Sequence, residues 1–247
     1  MAAGTVRAPV AEIFSGIQGE GVFVGRRQLF VRVADCNLAC RYCDTKTMLP
    51  AAACRAETAA GARAFETIAN PVSAETAAAV LARLNGGAAH HAVSFTGGEP
   101  LTSPEFIAAL AKPARKAGLK VYLETNGTLP AALERVLGRV DIIAMDIKLR
   151  SATGERNRFA ANREFLRIAQ RKDVFVKVVF DRRIRDAEIR AVRDIVRGAE
   201  KPVPLVLQPV YAAKLPEKFL LSLHGRFSRV LDDVRLIPQT HKTLQVR

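Results

Sequence analysis

The sequence is poor in the residues that mark several classes of protein. It contains no tryptophan and three tyrosines, so it offers few of the aromatic side chains on which nucleic-acid-binding modules stack bases. No apolar run reaches the roughly 18 residues of a membrane-spanning helix, and Met1 to Val10 lacks the sustained apolar stretch of a secretory signal. Four cysteines, three of them clustered, favour metal ligation in a reducing compartment over disulfides. We therefore expect a cytoplasmic protein with no membrane partner.

Positive charge, in contrast, is abundant. The formal net charge is +14, from 38 Lys and Arg against 24 Asp and Glu. The basic residues are spread through predicted helices instead of forming one dense run, which favours a solvated surface over a nucleic-acid interface. A cleft of positive sign would also concentrate an anionic substrate. We expect a small-molecule substrate and no nucleic-acid partner.

Apolar runs alternate with helical patterns along the chain, which predicts a parallel sheet with helices outside it. The predicted strands are Gln28–Val33, Ala92–Phe95, Leu119–Leu123, Val140–Ala144, Val174–Phe180 and Leu205–Leu207. Six strand–helix units fall short of a closed eightfold barrel, so the expected fold class is α/β, a partial (β/α)6 TIM-like barrel, as one domain over residues 1–247 with no linker or repeat. The alanine-rich residues 46–72 are expected to be an insertion with one helix.

Three cysteines directly follow the first predicted strand, with the spacing C-x3-C-x2-C at Cys36, Cys40 and Cys43. Fe–S clusters are held by cysteine thiolates, normally four. Three would leave one iron of a [4Fe–4S] cluster open for another ligand, much as catalytic zinc keeps an open position. The alternative is a structural zinc site completed by Cys54, His90 or His91. Zinc motifs usually contain a second cysteine pair, and the chain has none.

Further polar clusters follow predicted strands and precede helices, at the barrel edge that carries active sites in α/β barrels. They are Thr96-Gly97-Gly98-Glu99-Pro100, Glu124-Thr125-Asn126-Gly127 and Met145-Asp146-Ile147-Lys148. The glycines let the backbone approach a ligand, and the Glu99 carboxylate could accept hydrogen bonds from an ammonium group. Glu124 could bridge ribose hydroxyls. Lys148 either forms a surface ion pair with Asp146 or reaches inward to a carboxylate.

The cysteine loop, with Tyr42 before its last cysteine, resembles the radical S-adenosylmethionine (SAM) superfamily. The flanking segments Glu12–Gly21 and Cys43-Asp44-Thr45 resemble the 7-carboxy-7-deazaguanine synthase family within it, and the resemblance extends from about Glu12 to the C-terminal end. It implies a radical SAM barrel with a [4Fe–4S] cluster whose open iron is chelated by SAM, and a Mg²⁺ ion. Two features depart from the family: Asp35 stands where a glycine is usual, and residues 46–72 are unlike its compact members.

The resemblance also implies roles for individual residues. The cluster ligands would be Cys36, Cys40 and Cys43, the Mg²⁺ ligand would be the hydroxyl of Thr45, and SAM would contact Tyr42, Gly97, Gly98, Glu99, Glu124, Asn126 and Lys148. The candidates for substrate binding are Gln18, Glu20, Arg27, Gln208, Gln239 and His241. Arg27 could pair bidentately with a substrate carboxylate, although its neighbour Arg26 is an alternative that the sequence leaves open.

The reaction implied by this family is ring contraction of 6-carboxy-5,6,7,8-tetrahydropterin to 7-carboxy-7-deazaguanine with loss of ammonia, in queuosine and 7-deazapurine biosynthesis. The expected partners are a reduced flavodoxin or ferredoxin and a second copy of the chain in a homodimer. One alternative, an activating enzyme for a glycyl-radical protein, shares the cysteine spacing but gives no reason for Gln18–Gly21 or Asp44-Thr45. A tRNA-modifying radical SAM enzyme would suit the charge, although no RNA-binding module is evident. A zinc module without enzymatic activity is the fourth hypothesis.

Overall fold

The centre of the fold is a ten-stranded sheet, seen in a computed structural model that describes residues 5–43, 45, 51–211 and 213–246. The strands of the described residues are β1 (Arg7–Ala8), β2 (Val10–Ile17), β3 (Arg27–Val33), β4 (Ala53–Glu57), β5 (Phe65–Ala69), β6 (Val72–Ser73), β7 (Ala92–Gly97), β8 (Lys120–Thr125), β9 (Ile142–Asp146), β10 (Asp173–Phe180), β11 (Leu205–Pro209) and β12 (Val234–Leu236). Of these, β1 and β6 pair with each other in a separate two-stranded sheet, and the other ten form the central sheet. The helices are α1 (Ala74–Gly86), α2 (Pro104–Lys116), α3 (Pro130–Val136), α4 (Arg150–Thr153), α5 (Phe159–Ala169), α6 (Asp186–Arg197), α7 (Glu217–Ser228) and α8 (Thr240–Leu244).

Seven neighbouring strands, β3 and β7 to β12, pair in parallel and in chain order. The predicted partial barrel is confirmed, with β12 as one strand more than the six expected. Parallel strands of this kind end at the same edge of the sheet, so the segments after β3, β7, β8 and β9 lie side by side. This arrangement brings residues far apart in the chain to one place.

The predicted helix boundaries follow from local capping. The Ser73 hydroxyl accepts a hydrogen bond from the Thr76 amide at 3.1 Å, which satisfies one of the free donors at the start of α1. Pro104 opens α2, where its missing N–H costs nothing. The helices pack outside the sheet and bury a large apolar layer between helix and strand.

The region upstream of residue 73 differs from the prediction. The strand β2 was not predicted, and it pairs antiparallel with β3. Residues 53–69 form an antiparallel hairpin of β4 and β5, not a helix, while residues 46–50 lie outside the described part of the chain. The expectation of a helix there was wrong because Cys54 and Ala56 face the core on alternate positions, with Arg55 exposed between them. Burying every second side chain against the core favours a strand, and this gain outweighs the intrinsic preference of alanine for helix.

The interior of the barrel divides into an apolar and a polar part. A small buried cluster contains Ala92, Tyr122, Ile142, Ala144, Phe175 and Val206, with Phe23 packed against it. Above it, towards the C-terminal ends of the strands, the interior becomes polar and opens into a cavity. No helix in the described ranges is long and apolar enough to cross a membrane.

Candidate active site

A cavity of about 540 Å³ lies at the C-terminal ends of the parallel strands. Most of the predicted site residues line it, namely Gln18, Glu20, Cys36, Cys40, Tyr42, Cys43, Thr45, Gly97, Gly98, Glu124, Asn126, Lys148, Gln208, Gln239 and His241. Two predicted residues, Glu99 and Arg27, are not among the residues that line it. The structure therefore brings most of these residues together at one cavity, while their roles remain predictions.

The cysteine loop forms one side of this cavity. Cys36 is exposed, Cys43 is half-buried and Cys40 is buried. The loop is fastened by hydrogen bonds from the Arg41 amide to the Thr153 carbonyl at 2.8 Å and from the Cys43 amide to the Cys40 carbonyl at 3.2 Å. Burial raises the pKa of the Cys36 thiol, and raises that of Cys40 to about 11. A metal cluster must therefore displace protons when these thiols ligate it.

The donor set fits an iron–sulfur cluster better than a single ion. Among the described residues, no three His, Cys, Asp or Glu side chains are gathered closely enough to hold one metal ion. A [4Fe–4S] cluster does not need such a gathering, because each thiolate binds a different iron. The zinc alternative loses its fourth ligand: Cys54 is fully buried in β4, and the His90 ring bonds to the Ser15 hydroxyl at 2.9 Å. Neither Cys54 nor His90 lines the cavity.

The Gly97-Gly98 segment packs directly on the cysteine loop. The Gly98 amide donates to the Val33 carbonyl at 3.0 Å, and the Glu99 amide donates to the Asp35 carbonyl at 2.6 Å. A Cβ at Gly98 would lie 1.9 Å from the Asp35 carbonyl oxygen. Glycine is therefore required at this position for the approach of the two loops.

Glu99 is fully buried and lies behind the cavity. Its carboxylate accepts hydrogen bonds from the Leu101 amide, from the Thr125 hydroxyl at 2.8 Å and from the Asn126 amide at 2.7 Å. Burial raises the pKa of Glu99 to about 7, although these hydrogen bonds oppose the shift. The predicted contact of its side chain with an ammonium group stays a prediction, and in the structure both carboxylate oxygens accept hydrogen bonds from neighbouring turns. Glu99 thereby positions Asn126.

Glu124 and Gln18 form a hydrogen-bonded pair on the cavity surface. The Gln18 amide donates to Glu124 Oε1 at 2.7 Å, and the Thr96 hydroxyl donates to Glu124 Oε2 at 2.9 Å. Asn126 reaches in the other direction and donates to Asn37 Oδ1, in the cysteine loop, at 2.8 Å. The loop after β8 is thereby joined both to the cysteine loop and to the loop after β2.

A row of alternating charges crosses the cavity. Lys148 Nζ lies 2.9 Å from Asp146 Oδ2 and 3.3 Å from the Tyr42 hydroxyl. Lys177 Nζ lies 3.1 Å from the same Asp146 oxygen and forms a short ion pair with Glu20. Burial opposes ionisation of Glu20, but the charge of Lys177 prevails and lowers the pKa of Glu20 to about 2. Lys148 is thus paired with Asp146, as one alternative had it, but the pair lies at the cavity and is mostly buried, not on the outer surface.

Sequence analysis missed Lys177, although the chain contained a signal for it. Lys177 is the one charged residue between Val174 and Phe180 of an otherwise apolar strand. Its neighbours Val176 and Val178 are fully buried on the helix-covered face. A side chain between them must point into the barrel.

The guanidinium at the cavity belongs to Arg32, not to Arg27. Arg27 Nε donates to the Ser15 hydroxyl at 3.2 Å, outside the cavity. Arg32 lines the cavity two residues beyond Phe30, which lines it as well. Arg27 is an odd number of residues away and so faces the opposite side of β3. The alternative residue, Arg26, does not line the cavity either.

The end of the chain closes one side of the cavity, and residues 239–246 are called the C-terminal strap below. The Thr240 amide donates to the Gly19 carbonyl at 2.9 Å, and the Gln239 amide group donates to Glu20 Oε1. The His241 ring packs so closely on Gly19 that a Cβ there would lie 2.0 Å from its Nδ1. The predicted residues Gln239 and His241 are thus brought to the site by tertiary contacts.

Several buried polar atoms of the described residues have no hydrogen-bond partner there. They are Arg32 Nε, Asp146 Oδ1, Ser151 Oγ, Arg193 Nε and Gln208 Oε1. Three of these residues, Arg32, Asp146 and Gln208, line the cavity; Arg32 Nε also lies 3.6 Å from Glu12 Oε2, in an ion pair too long for a hydrogen bond. A buried polar group without a partner costs about 1–3 kcal/mol. The cavity is therefore built to receive hydrogen bonds from a polar ligand.

Comparison with known proteins settles the family. The model of the radical SAM superfamily matches residues 31–180. A 7-carboxy-7-deazaguanine synthase from Geobacter sulfurreducens is 41% identical over 242 residues, covering 95% of this chain and 96% of that protein. The chain belongs to the 7-carboxy-7-deazaguanine synthase family of radical SAM enzymes. A member of the family from Archaeoglobus fulgidus is 37% identical over 98% of this chain and all of that protein.

The fold agrees with this membership. The crystal structure of QueE from Escherichia coli matches with a TM-score of 0.63 at 22% identity, covering 94% of this chain and 93% of that one. Radical SAM enzymes use a [4Fe–4S] cluster and SAM, and the three thiols beside one cavity fit that cluster. Both relatives carry the name 7-carboxy-7-deazaguanine synthase, so the comparison does not favour the alternatives of a glycyl-radical activating enzyme or a tRNA-modifying enzyme. Thr45 is buried at the cavity, with its hydroxyl 3.3 Å from Cys43 Sγ, while Asp44 lies outside the described residues.

Proposed function

We propose that this enzyme converts 6-carboxy-5,6,7,8-tetrahydropterin to 7-carboxy-7-deazaguanine with loss of ammonia. The observation that carries the proposal is the pairing of two features in one cavity: three thiols on one side, and buried polar atoms of Arg32, Asp146 and Gln208 that make no hydrogen bond among the described residues. The thiols suit a radical-generating cluster. The polar atoms suit a carboxylated heterocycle rich in hydrogen-bonding groups, and not an apolar substrate.

Cys36, Cys40 and Cys43 would hold the cluster. When bound, the cluster and SAM together supply a 5′-deoxyadenosyl radical after one-electron reduction. The residues of this chain then serve to hold SAM and the substrate in the right position relative to each other and to keep water away from the reacting carbon. The buried positions of Cys40 and Tyr122 beneath the cavity support that exclusion of water.

SAM binding is proposed for the segments that touch the cysteine loop. Gly97 and Gly98 line the cavity, and because they lack a Cβ they pack directly on Val33 and on Asp35 of the cysteine loop. Asn126 is tied to Asn37 of the cysteine loop, and Glu124 presents a carboxylate to the cavity. The ammonium of Lys148, held against Tyr42, would face the carboxylate of SAM.

Substrate binding is proposed for the opposite side. The Arg32 guanidinium would pair with the substrate carboxylate, because it is the arginine that lines the cavity there. The amide groups of Gln18, Gln208 and Gln239, the ring of His241 and the carboxylate of Glu20 would contact the bicyclic ring. Glu20 is ionised, so it acts as an acceptor for ring N–H groups.

Three further assignments belong to the same proposal. Thr45 would supply one oxygen ligand to a Mg²⁺ ion, which usually keeps several waters and takes other oxygens from its substrate. A reduced flavodoxin or ferredoxin would deliver the electron. Two chains would form a homodimer.

The experiment is turnover by the reconstituted enzyme under anaerobic conditions with dithionite, SAM and 6-carboxytetrahydropterin. The expected product is 7-carboxy-7-deazaguanine, identified by mass and by deazapurine absorbance, with SAM acting catalytically. With substrate deuterated at C6, the label should appear in 5′-deoxyadenosine and in SAM. Active cleavage of SAM without label transfer and without the deazapurine would refute the proposal.

A further inference from the structure

Lys177 connects two sides of the cavity that the proposed function separates. Its ammonium forms an ion pair with Glu20, on the side proposed for substrate, and another with Asp146, which lies beside Lys148 of the side proposed for SAM. Asp146 in turn holds Lys148, and Lys148 contacts the Tyr42 hydroxyl next to the cluster ligands. The Lys177 side chain is 12% exposed and lies deep in the barrel on β10.

The partners of Lys177 have few other cations to neutralise them. Glu20 Oε2 faces Lys177, and Glu20 Oε1 accepts from the neutral amide of Gln239. The other charged or titratable groups that act on this pair are His241 on the C-terminal strap, Asp146 and Lys148 at the end of β9, and Glu124 and Tyr122 on β8. Glu124 is itself anionic when ionised, so it does not stabilise a second carboxylate. Lys177 is the cation that contacts Glu20 among the described residues.

We infer that Lys177 is a positioning residue that keeps Glu20 ionised and aimed into the cavity, so that Glu20 accepts hydrogen bonds from the N–H groups of a heterocyclic substrate. This inference rests on the proposed function and adds a residue to it that no sequence motif marks. Lys177 does not touch the substrate in this account. It acts through Glu20, while Asp146 has a second cation, Lys148, at 2.9 Å, so the side proposed for SAM keeps its own ion pair when Lys177 is removed.

The physical reason is desolvation. Burial disfavours the charged form of a carboxylate, and for Glu20 it is the largest single influence, overcome by Lys177 together with hydrogen bonds and His241. Without the Lys177 ammonium, the charged form of Glu20 would lose its main stabilising interaction. Burial would then dominate, and the pKa of Glu20 would rise above its ordinary value. A protonated Glu20 would present a donor to N–H groups that need an acceptor.

The test compares Lys177→Met with Lys177→Arg in the reconstituted enzyme. Lys177→Met should raise the KM for the pterin about tenfold or more, and should weaken pterin binding measured by calorimetry to the same degree. Its affinity for SAM and its slow cleavage of SAM without substrate should stay within about twofold of wild type. Lys177→Arg keeps the charge in a different shape and should recover part of the lost affinity.

The pH profile separates positioning from a general structural role. In Lys177→Met the acid limb of kcat/KM should move up by about two pH units or more, because Glu20 then gains its proton at a higher pH. In Lys177→Arg that limb should stay at the wild-type position. A double variant, Glu20→Gln with Lys177→Met, carries no titrating carboxyl at position 20 and should show no shifted limb. This charge-neutral pair also covers the case in which Lys177→Met alone fails to fold.

Three results would overturn the inference. One is unchanged pterin affinity in Lys177→Met. Another is an equal loss of SAM binding and pterin binding, which would assign Lys177 a merely structural role. The third is a shifted acid limb that persists in the double variant. Production of the deazapurine by the wild-type enzyme is measured first, so failure of the proposed function is recognised separately.

Discussion

At the scale of single residues, the contrast between Arg32 and Arg27 decides how the substrate carboxylate would be held. Arg32 lines the cavity, and its Nε makes no hydrogen bond but lies 3.6 Å from Glu12 Oε2, whereas Arg27 bonds to Ser15 on the other face of the same strand. A hydrogen bond to a charged group contributes about 1.5–3 kcal/mol, and each 1.4 kcal/mol is a factor of about ten in affinity.

Arg32→Gln should therefore raise the KM for the pterin by about tenfold to a hundredfold, with little change in SAM cleavage in the absence of substrate. Arg27→Gln is the matched control, on the same strand and with the same change of charge, and should leave KM within about twofold. Steady-state kinetics of deazapurine formation measure both. Equal effects of the two substitutions would show that charge alone matters, and not the face of the strand.

Gly98 shows a second effect of one residue, this time on cluster assembly. A methyl group there would meet the Asp35 carbonyl oxygen at 1.9 Å, so the cysteine loop would have to move. Gly98→Ala should lower the iron and sulfide content after reconstitution towards that of Cys36→Ala, which removes a thiol outright. Gly138→Ala is the control, because nothing lies within 4 Å of the added Cβ. Full iron content in Gly98→Ala would contradict the packing argument.

At the scale of elements, the C-terminal strap is held by loops: Lys242 lies over the Tyr211 ring after β11, and the Gln245 carbonyl accepts a hydrogen bond from Arg63 of the β4–β5 loop. The last parallel strand, β12, ends at Leu236, and the strap contacts the loop after β2 through Thr240 and Gln239. Its role is therefore to complete the cavity, while the paired strands and the helix-covered core do not depend on it.

A chain ending at Pro238 should keep its circular dichroism spectrum and its iron content, yet lose measurable pterin binding by calorimetry. Leu244→Gln is the control within the strap, because that side chain is 65% exposed and should not alter binding. If the shortened chain bound the pterin normally, the strap would have no part in the site. If it lost iron as well, the strap would support the cysteine loop too.

Sequence reasoning succeeded for elements whose pattern is local. The apolar runs of the parallel strands and the Ser73 and Pro104 helix starts were recognised because capping and strand burial depend on near neighbours. The hairpin of β4 and β5 was missed because its small residues become a strand only through burial against the sheet. Register within a strand could be used further: the two-residue period places Arg32, and not Arg27, beside Phe30.

The residues of the site also differ in how far they could be predicted from local sequence. The cysteine spacing and the polar segments after β7, β8 and β9 could be predicted, since parallel strands end at one edge. The pairing of Lys177 with Glu20 and the burial of Glu99 depend on contacts between distant segments. Those contacts include the Thr125 hydroxyl on Glu99 and the Glu20 carboxylate on Lys177. No local pattern encodes such distances.

At the scale of the whole molecule, the buried charges make global stability depend on pH. The pKa of Glu20 is about 2 in the folded protein against an ordinary value of 4.5. Between these two values the unfolded chain takes up the proton first, so stability present above pH 4.5 is lost as the pH falls towards 2. Since a difference of one in pKa corresponds to about 1.4 kcal/mol, the free energy of unfolding lost in this way is on the order of 3 kcal/mol at most.

Glu20→Gln should reduce the dependence of the free energy of unfolding on pH in this range. It should also lower stability at neutral pH, because it removes the ion pair with Lys177. Urea unfolding of the protein without its cluster, at several pH values between 3 and 6, would measure the slope; omitting the cluster prevents its acid lability from contributing. Glu164→Gln, in an exposed pair with Arg167, should leave the slope nearly unchanged. An identical slope in Glu20→Gln and wild type would show that Glu20 is not the responsible group.

The hydrogen bond between Thr240 and Gly19 has a consequence for the order in which the enzyme folds. The two residues are 221 positions apart in the chain, and closing a longer loop costs more conformational entropy. The cavity wall beside Glu20 should therefore form late, after the sheet that carries the cysteine loop. In refolding followed by pulsed hydrogen exchange, we expect the amides of β3 and β7 to be protected before the Thr240 amide.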